Sequence, residues 1–306
     1  VVGWSMQDSE GLGDKKRGGQ GSLCKSRQMT SDFRLYDNAV PLHGFHCYRF
    51  ETLASTHDLL KQWVSQGLAA PGTVVLAEEQ THGKGRMGHA WTSLRGKGLW
   101  FSVYFQPCLP VDLALAWNMN LALAVCKALD TVAPWGGWRI KWPNDWVSRQ
   151  GRKAGGMLVE NQLRGSLISD SWVGIGINVD QDAVDARLPF ATSLMAEGHG
   201  SPQAISSTAV PLQEKLFEAL LSELEWLLET YSPPQENWNI PQIIEEVDRR
   251  LYGLGQNLPF LCEERTEYWV PLGLSHDGGL RVRSESGDLV QTLYHPHHRM
   301  TYTLNL

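Results

Sequence analysis

The chain has 306 residues and a formal net charge of −6, with 42% hydrophobic and 20% charged residues. This length allows one substantial domain and a smaller one, and the composition is ordinary for a soluble globular protein. The acidic balance argues against a general nucleic-acid binder, and no apolar run reaches the roughly 18 residues of a membrane span. Five scattered cysteines without a C-x-x-C pair predict free thiols, and residues 1–21 lack a secretory apolar segment, so we expect a cytoplasmic protein.

Residues 1–44 differ from the rest of the chain. Glycines are mixed with lysines and arginines, and apolar periodicity is absent. Such a segment buries too little apolar surface to offset its ordering entropy, so a disordered, Gly-rich basic tail is predicted. The segment also lacks the helical periodicity that an N-terminal DNA-binding helix-turn-helix requires.

From residue 45 the pattern is globular and mixes strands with helices. Strands are predicted at 46–50, 73–77, 99–105, 139–142, 156–160 and 171–178. Helical periodicity covers 113–130, about 211–230 and 241–250. A further helix should begin after Ser55, where Asp58 completes a variant capping box, and end near Gly67.

After residue 250 the residue pattern is typical of short strands separated by turns, as at 269–282. This alternation predicts a small β module appended to an α+β domain. The predicted boundaries are therefore 1–44 for the tail, 45–250 for the main domain and 251–306 for the β module.

The run 83–88, GKGRMG, fits the G-x-G-x-x-G spacing of a dinucleotide site and follows a strand. That fingerprint must open a helix, and the β-rich residues that follow predict none. A glycine-rich loop with two cations, Lys84 and Arg86, remains. Its glycines let the backbone approach a ligand, and its cations suit phosphates or carboxylates, although a basic surface turn is the alternative.

Three further motifs stand at strand ends, namely KWPND at 141–145, RKAGG at 152–156 and GIGIN at 174–178. Taken alone, Lys153 is more often a surface lysine and Asn178 a turn residue. Together with the glycine-rich loop, these motifs indicate strand ends that converge on an anionic, phosphate-bearing ligand.

In identity, order and approximate spacing these motifs resemble those of the biotin–protein ligases. The resemblance rests on Ser55-Thr56, the 80–88 loop with Trp91, and the motifs at 141–145, 152–156 and 174–178, and it covers roughly 45–250 strongly. It implies an α+β fold of the class II synthetase-like, biotin–lipoate ligase type, with a mixed sheet, flanking helices and an SH3-like C-terminal β module. It also implies an ATP-dependent enzyme that forms biotinyl-5′-AMP and transfers biotin to an acceptor lysine.

The resemblance carries site roles onto matching positions. The implied catalytic residues are Arg86, Lys141, Lys153 and Asp145. The implied biotin-binding residues are Ser55, Thr56, His57, Gln80, Gly83, Lys84, Gly85, Arg86, Lys153 and Gly156. The implied nucleotide-binding residues are Arg86, Gly88, Trp91, Lys141, Asn144 and Asn178. Core packing is an alternative for Trp91, and turn capping is an alternative for Asp145.

Some positions depart from the family pattern. His57 stands where an asparagine is usual, Lys84 and His89 replace arginines, and Met87 replaces a basic residue. Losing the bidentate guanidinium groups predicts weaker retention of biotinyl-AMP. The segment 295–299, HPHHR, has no usual metal-ligand spacing and is interpreted as surface histidines.

The resemblance implies ATP with Mg²⁺, biotin as substrate, and the biotin carboxyl carrier protein of acetyl-CoA carboxylase as acceptor. A monomer or homodimer is expected, without nucleic-acid or membrane partners, and no metal ligands are assignable. The alternatives are a lipoate or octanoate transferase of the same fold and an inactive binding protein. A biotin-sensing regulator would need a winged helix, which residues 1–44 do not predict.

Overall fold

The computed structural model describes residues 34–35, 43–180, 188–198, 210–230, 239–263, 265–295 and 297–302. All of them belong to the compact unit Phe33–Leu306. The predicted disorder over 1–44 therefore lies outside the described residues, apart from Arg34–Leu35 and the turn at 43–44. Strand β1 (Arg34–Leu35) pairs antiparallel with residues 48 and 49.

A mixed sheet forms the centre of the main domain. In the described part of the chain its nine strands are β1, β2 (His46–Leu53), β3 (Thr73–Gln80), β6 (Gly98–Phe105), β7 (Leu109–Pro110), β8 (Arg139–Lys141), β9 (Asp145–Val147), β10 (Lys153–Arg164) and β11 (Leu167–Asn178). Their order is β1-β2-β3-β6-β11-β10-β9-β8, with β7 beside β11. Strands β2 and β3 are parallel and the other pairs are antiparallel. Strands β4 (Gly83–Lys84) and β5 (Ala90–Trp91) form a separate ribbon.

The described chain contains five α-helices, namely α1 (Thr56–Ser65), α2 (Ala114–Val132), α3 (Leu194–Glu197), α4 (Leu212–Thr230) and α5 (Ile240–Asp248). Helix α1 begins where predicted, because the Ser55 hydroxyl accepts the backbone N–H of Asp58 at 3.3 Å. It ends at Ser65, and Gly67 follows in the left-handed region at φ 68°.

Alternate residues of β3 pack on opposite faces of the sheet. Val75 joins a small cluster with Leu60 and Trp63 of α1, whereas Val74 and Leu76 join the large cluster that contains α2 and α4. This alternation is the two-residue period of a strand that is buried on both sides. The sheet is therefore a middle layer between α1 and the other long helices.

Helix α2 is the core helix of the large cluster, and nearly every residue from Ala116 to Leu129 is buried. With its preceding turn, the stretch Val111–Val132 is long and apolar enough to span a membrane by length and composition. Packing against the sheet and α4 accounts for this apolar character, because a helix that is buried all round needs no polar face.

The C-terminal module is a five-stranded antiparallel sheet of β12 (Leu258–Cys262), β13 (Arg265–Leu274), β14 (Leu280–Ser284), β15 (Val290–Leu293) and β16 (His298–Met300). Its order is β15-β14-β13-β12-β16. Its apolar face belongs to the same cluster as α2, and the Trp142 indole donates to the Gly278 carbonyl at 3.1 Å. The predicted α+β fold with a small C-terminal β module is confirmed, and the module is packed directly onto the main domain.

Candidate active site

A cavity of about 640 Å³ is enclosed by the ends of the central strands, the 80–92 loop and the C-terminal module. Most of the residues that the sequence predicts for the site line this cavity. They are Ser55, Thr56, His57, Gln80, Lys84, Gly85, Arg86, Trp91, Lys141, Asn144, Asp145, Lys153, Gly156 and Asn178. Gly83 and Gly88 belong to the same loop without lining the cavity.

One end of the cavity is lined by uncharged polar groups. The backbone N–H and the hydroxyl of Thr56 donate to the Gln80 side-chain oxygen at 2.9 and 3.1 Å. The Thr56 hydroxyl also lies 2.9 Å from the hydroxyl of Ser102, which the sequence analysis did not select. Ser55 uses an oxygen lone pair to cap α1, and its hydroxyl hydrogen stays available to a ligand. This end suits a ligand that carries neutral donors and acceptors.

His57 lies beside this polar end and is 3% exposed. Its Nε2 is 3.3 Å from a carboxylate oxygen of Glu160, and its Nδ1 faces Gly174, where an added Cβ would be 3.2 Å away. Neither ring nitrogen has a hydrogen-bond partner with good geometry among the described residues. Burial lowers the pKa of His57, and the nearby Glu160 opposes that shift. The imidazole is therefore neutral and open to a new hydrogen bond.

The glycine-rich loop is a short ribbon that ends in a turn. Gly83 pairs with Trp91, and an added Cβ at Gly83 would lie 2.6 Å from the Trp91 carbonyl oxygen. The turn that follows is a single 3₁₀ turn, Arg86–Gly88. The described residues contain no α-helix at this point, so the dinucleotide-binding interpretation is excluded on structure as well. Lys84 forms an exposed ion pair with Asp58 at 2.7 Å.

Arg86 projects from this turn into the cavity. Its guanidinium donates to the side-chain oxygen of Asn144 and contacts the Nδ1 of His295. Burial lowers the pKa of Arg86, whereas the carboxylate of Asp145 opposes the shift. An arginine stays charged under these conditions, so Arg86 presents a partly desolvated cation to the cavity.

The prediction that His295 is a surface histidine is wrong. His295 is half-buried and lines the cavity. Burial, then the charges of Arg86 and Arg299, lower its pKa to about 4, so the ring is neutral and its Nδ1 can accept from Arg86. The prediction for His295 was wrong because residue spacing does not show that the C-terminal sheet packs over the cavity.

The buried carboxylate of Asp145 lies among three cations, Arg86, Lys141 and Lys153, at the other end of the cavity. Its Oδ1 is 2.8 Å from the Lys153 ammonium, and its Oδ2 accepts from the Tyr302 hydroxyl. Burial alone would raise the pKa of Asp145, but Lys153 and Lys141 outweigh burial and hold this pKa below its ordinary value. The carboxylate is therefore ionised, with Oδ1 in an ion pair with Lys153 and Oδ2 in a hydrogen bond with Tyr302.

Lys141 is the most deeply buried of the three cations, at 5% exposure. Its ammonium donates to the Met300 carbonyl at 2.6 Å and lies 4.1 Å from the centre of the Tyr302 ring. Burial lowers the pKa of Lys141 to about 8, with Asp145 opposing the shift and neighbouring cations adding to it. Lys141 therefore keeps its charge at neutral pH by a small margin.

Trp91 and the glycines of β11 form the floor of the cavity. An added Cβ at Gly176 would lie 2.7 Å from the Trp91 indole, so glycine lets the ring lie flat on the strand. The Lys153 ammonium is 5.4 Å from the centre of the same ring, within cation–π range. The Asn178 amide donates to the Thr192 carbonyl at 3.0 Å and holds the neighbouring loop in place.

One wall of the cavity is formed by residues that follow β11 and β15, and the sequence did not predict it. Residues of this wall include Phe190, His295, Arg299, Met300 and Tyr302. Phe190 and Tyr302 are stacked, with ring centres 4.9 Å apart and an interplanar angle of 14°. No local motif marks these residues. A basic and aromatic concentration at 294–302 is the one signal that could have been noticed.

Comparisons with known proteins agree with this geometry. The family model "Biotin/lipoate A/B protein ligase family" matches residues 49–178. The bifunctional ligase/repressor BirA of Bacillus subtilis is 28% identical over 277 residues, which cover 89% of this chain and 80% of that protein. The biotin–[acetyl-CoA-carboxylase] ligase of Mycobacterium tuberculosis is 33% identical over 183 residues, 57% of this chain and 60% of that protein.

The fold has solved counterparts. The biotin protein ligase of Aquifex aeolicus, in complex with biotin and ATP, superposes with a TM-score of 0.64 at 24% identity, over 84% of this chain and 99% of that one. The mixed sheet and the C-terminal β module therefore have the fold of that ligase. The chain is thus similar to biotin–protein ligases, and its residues 49–178 match the biotin/lipoate A/B protein ligase family.

Proposed function

We infer that the chain activates biotin with ATP to biotinyl-5′-AMP and transfers the biotin to a lysine of an acceptor protein. One observation carries this function, namely a single cavity that is polar and neutral at one end and lined by three cations around Asp145 at the other. Biotin needs such a division, because its ureido ring forms neutral hydrogen bonds whereas its carboxylate must meet an anionic triphosphate.

The first step joins two anions. A carboxylate oxygen of biotin attacks the α-phosphorus of ATP, the new acyl–phosphate bond forms, and pyrophosphate leaves with the electrons of the broken phosphoanhydride bond. Positive charge must accompany the phosphoryl group through this displacement. We assign that role to Arg86 and Lys141, and we assign to Lys153 the contact with the biotin carboxylate.

The second step transfers the acyl group to the acceptor. The neutral amine of the acceptor lysine attacks the acyl carbon, and the acyl–phosphate C–O bond breaks so that AMP leaves with its electrons. The nitrogen releases its extra proton to water as the amide forms. Asp145 is a weak base here, because its pKa is held low by Lys153 and Lys141 and both of its oxygens are engaged. We therefore propose that Asp145 orients charged groups and does not deprotonate the lysine.

The cavity supplies little for a resident metal ion. Among the described residues no group of three or more His, Cys, Asp or Glu could hold one, and Asp145 is the one carboxylate that lines the cavity. Mg²⁺ is commonly held by phosphate oxygens and water with one or two carboxylates. We propose that Mg²⁺ arrives with ATP and is held mainly by the triphosphate.

The acceptor that we propose is the biotin carboxyl carrier protein of acetyl-CoA carboxylase. The printed name of the Mycobacterium tuberculosis relative supports this choice. We further propose that the protein works in the cytoplasm, as a monomer or homodimer, without nucleic-acid or membrane partners. The net charge of −6 and the four free cysteines of the described chain support this setting.

The test measures biotin transfer, with ATP and Mg²⁺, to a purified biotin carrier domain. Wild type should label the carrier, and Arg86→Gly and Lys153→Ala should each lower turnover about 100-fold or more, the usual effect of losing a group that stabilises transition-state charge. Arg95→Gly and Lys127→Ala are matched controls, because these cations form surface ion pairs outside the cavity. Both controls should keep wild-type turnover.

Two results would replace this function. Transfer of lipoate or octanoate to its own carrier, with no transfer of biotin, would assign the chain to the sister enzymes of the family. Absence of pyrophosphate release with every acid, despite tight biotin binding, would identify a binding protein that has kept the fold.

A further inference from the structure

Tyr302 reaches the cavity from the end of the C-terminal module and contacts three groups. Its hydroxyl donates to the Asp145 carboxylate, its ring lies under the Lys141 ammonium, and its other face stacks on Phe190. Burial, together with the charge of Asp145, raises the pKa of Tyr302 well above its ordinary value. The hydroxyl therefore keeps its proton and acts as a donor.

The two oxygens of Asp145 have separate partners. Oδ2 accepts from Tyr302, whereas Oδ1 is paired with Lys153. Gly156 leaves room for this arrangement, because an added Cβ there would lie 2.8 Å from Oδ1 and 3.2 Å from the Lys153 ammonium. The carboxylate is thus held at one oxygen by the C-terminal module, and its other oxygen directs the lysine ammonium.

A free carboxylate could rotate about its last side-chain bond and offer Lys153 either oxygen over a range of positions. A hydroxyl anchored by ring stacking removes that freedom. Reactive groups need placement within a few tenths of an ångström, which a neighbouring hydrogen bond can supply. Among the described residues, the hydrogen-bond partner of Oδ2 is Tyr302. Without the C-terminal module, the main domain would therefore not hold this oxygen in place.

We propose that Tyr302 is a positioning residue for biotin activation, which fixes Asp145 so that Lys153 meets the carboxylate of the acid substrate. The inference rests on the proposed function and extends it, because it makes a hydroxyl of the C-terminal module part of the catalytic geometry of the main domain. In this proposal Tyr302 acts through Asp145.

The test compares pyrophosphate release by wild type, Tyr302→Phe and Tyr302→Leu over a range of biotin and ATP concentrations up to saturation. Phenylalanine keeps the ring under Lys141 and against Phe190 and removes the hydroxyl alone. Hydrogen bonds to charged groups are worth roughly tenfold or more in an equilibrium, so kcat should fall about tenfold while KM for biotin and ATP changes less than twofold. Leucine also removes the ring, so it should add a rise in KM for ATP.

The pH dependence of kcat distinguishes positioning by Tyr302 from a purely structural role, because loss of a structural contact alone would not shift it. Without the hydroxyl, the pKa of Asp145 rises, so the acidic limb of kcat should shift to higher pH in Tyr302→Phe. Tyr268→Phe is the matched control, because Tyr268 is an exposed tyrosine of the same module, at 56% exposure. It should match wild type in kcat, KM and pH profile.

Two outcomes overturn the proposal. The first is a Tyr302→Phe variant with wild-type melting temperature, wild-type acidic limb and kcat within twofold of wild type. The second is a loss that appears in KM alone. Failure of the proposed function is a different result, because in that case wild type itself releases no pyrophosphate with biotin.

Discussion

Replacing His57 with phenylalanine should stabilise the free protein and weaken biotin binding at the same time. The imidazole is 3% exposed, and both of its nitrogens lack a well-formed hydrogen bond among the described residues. Phenylalanine keeps a flat ring of similar size and brings no polar atom into the wall. The adjacent cavity of about 640 Å³ leaves room for the larger ring.

The magnitude follows from the two nitrogens. An unsatisfied buried polar group costs about 1–3 kcal/mol, and the contact of Nε2 with Glu160 at 3.3 Å offsets part of that cost. We expect a gain of about 1–2 kcal/mol in the free energy of unfolding. For a domain of this size that gain raises the melting temperature by about 2–8 °C. Biotin affinity should fall about tenfold, because one ligand hydrogen bond is lost.

The same substitution changes the pH dependence of stability. The pKa of His57 is lowered in the folded protein, so below the ordinary value of 6.5 the unfolded chain binds a proton that the native state binds less well. Wild type therefore loses stability as pH falls through 6.5. The phenylalanine variant lacks this proton, so its advantage over wild type should grow between pH 8 and pH 5.

Thermal unfolding at several pH values, with and without biotin, checks both effects. His82→Phe is the control, since His82 is an exposed turn histidine outside the cavity, and it should show neither. A His57→Phe variant that is no more stable than wild type at pH 8, and that gains no advantage below pH 6.5, would contradict the prediction. Unchanged biotin affinity would show that the ligand does not use the imidazole.

Three further predictions concern the cations and the floor of the cavity. Because the pKa of Lys141 is lowered to about 8, kcat/KM for ATP should fall as pH rises through about 8. Lys141→Arg should move this decrease to higher pH. A wild-type rate that does not depend on pH up to about 9.5 would contradict the prediction. Gly176→Ala puts a methyl group 2.7 Å from the Trp91 indole and should cost about 1–3 kcal/mol in denaturant unfolding, whereas a loss under 0.5 kcal/mol would mean that the ring moves freely. Lys84→Arg with Met87→Arg should slow release of biotinyl-AMP in a chase experiment, and an equal off-rate would refute the role given to these departures.

Local signals were sufficient for the long elements of the main domain and for most of its site, but they did not predict the short strands β1, β4, β5, β7 and β9 or the short helix α3. Helix α1 was predictable from Ser55 and Asp58, because a capping hydrogen bond spans three residues and needs no distant partner. The strand-end motifs were recognisable for the same reason, since KWPND and the glycine-rich loop each carry their chemistry within a few residues. The residue roles at the site remain predictions that the variants above test.

Long-range contacts decided what the motifs do together. Lys141 meets the Met300 carbonyl across 159 residues, and Asp145 meets Tyr302 across 157. The sheet order, in which β6 lies beside β11 and β10 follows, is equally non-local. Hydrophobic periodicity records which face of an element is buried but not against which partner.

The sequence by itself determined the long strands and helices, the motifs that carry charge and the resemblance to the biotin–protein ligases. The tertiary structure alone decided that the C-terminal module forms a wall of the cavity, that His295 is a site residue, and that Asp145 is an engaged anion with a lowered pKa. The physical reason is that the burial of a side chain and its distance to other charges depend on which segments pack around it. Neighbouring residues in the sequence do not determine these quantities.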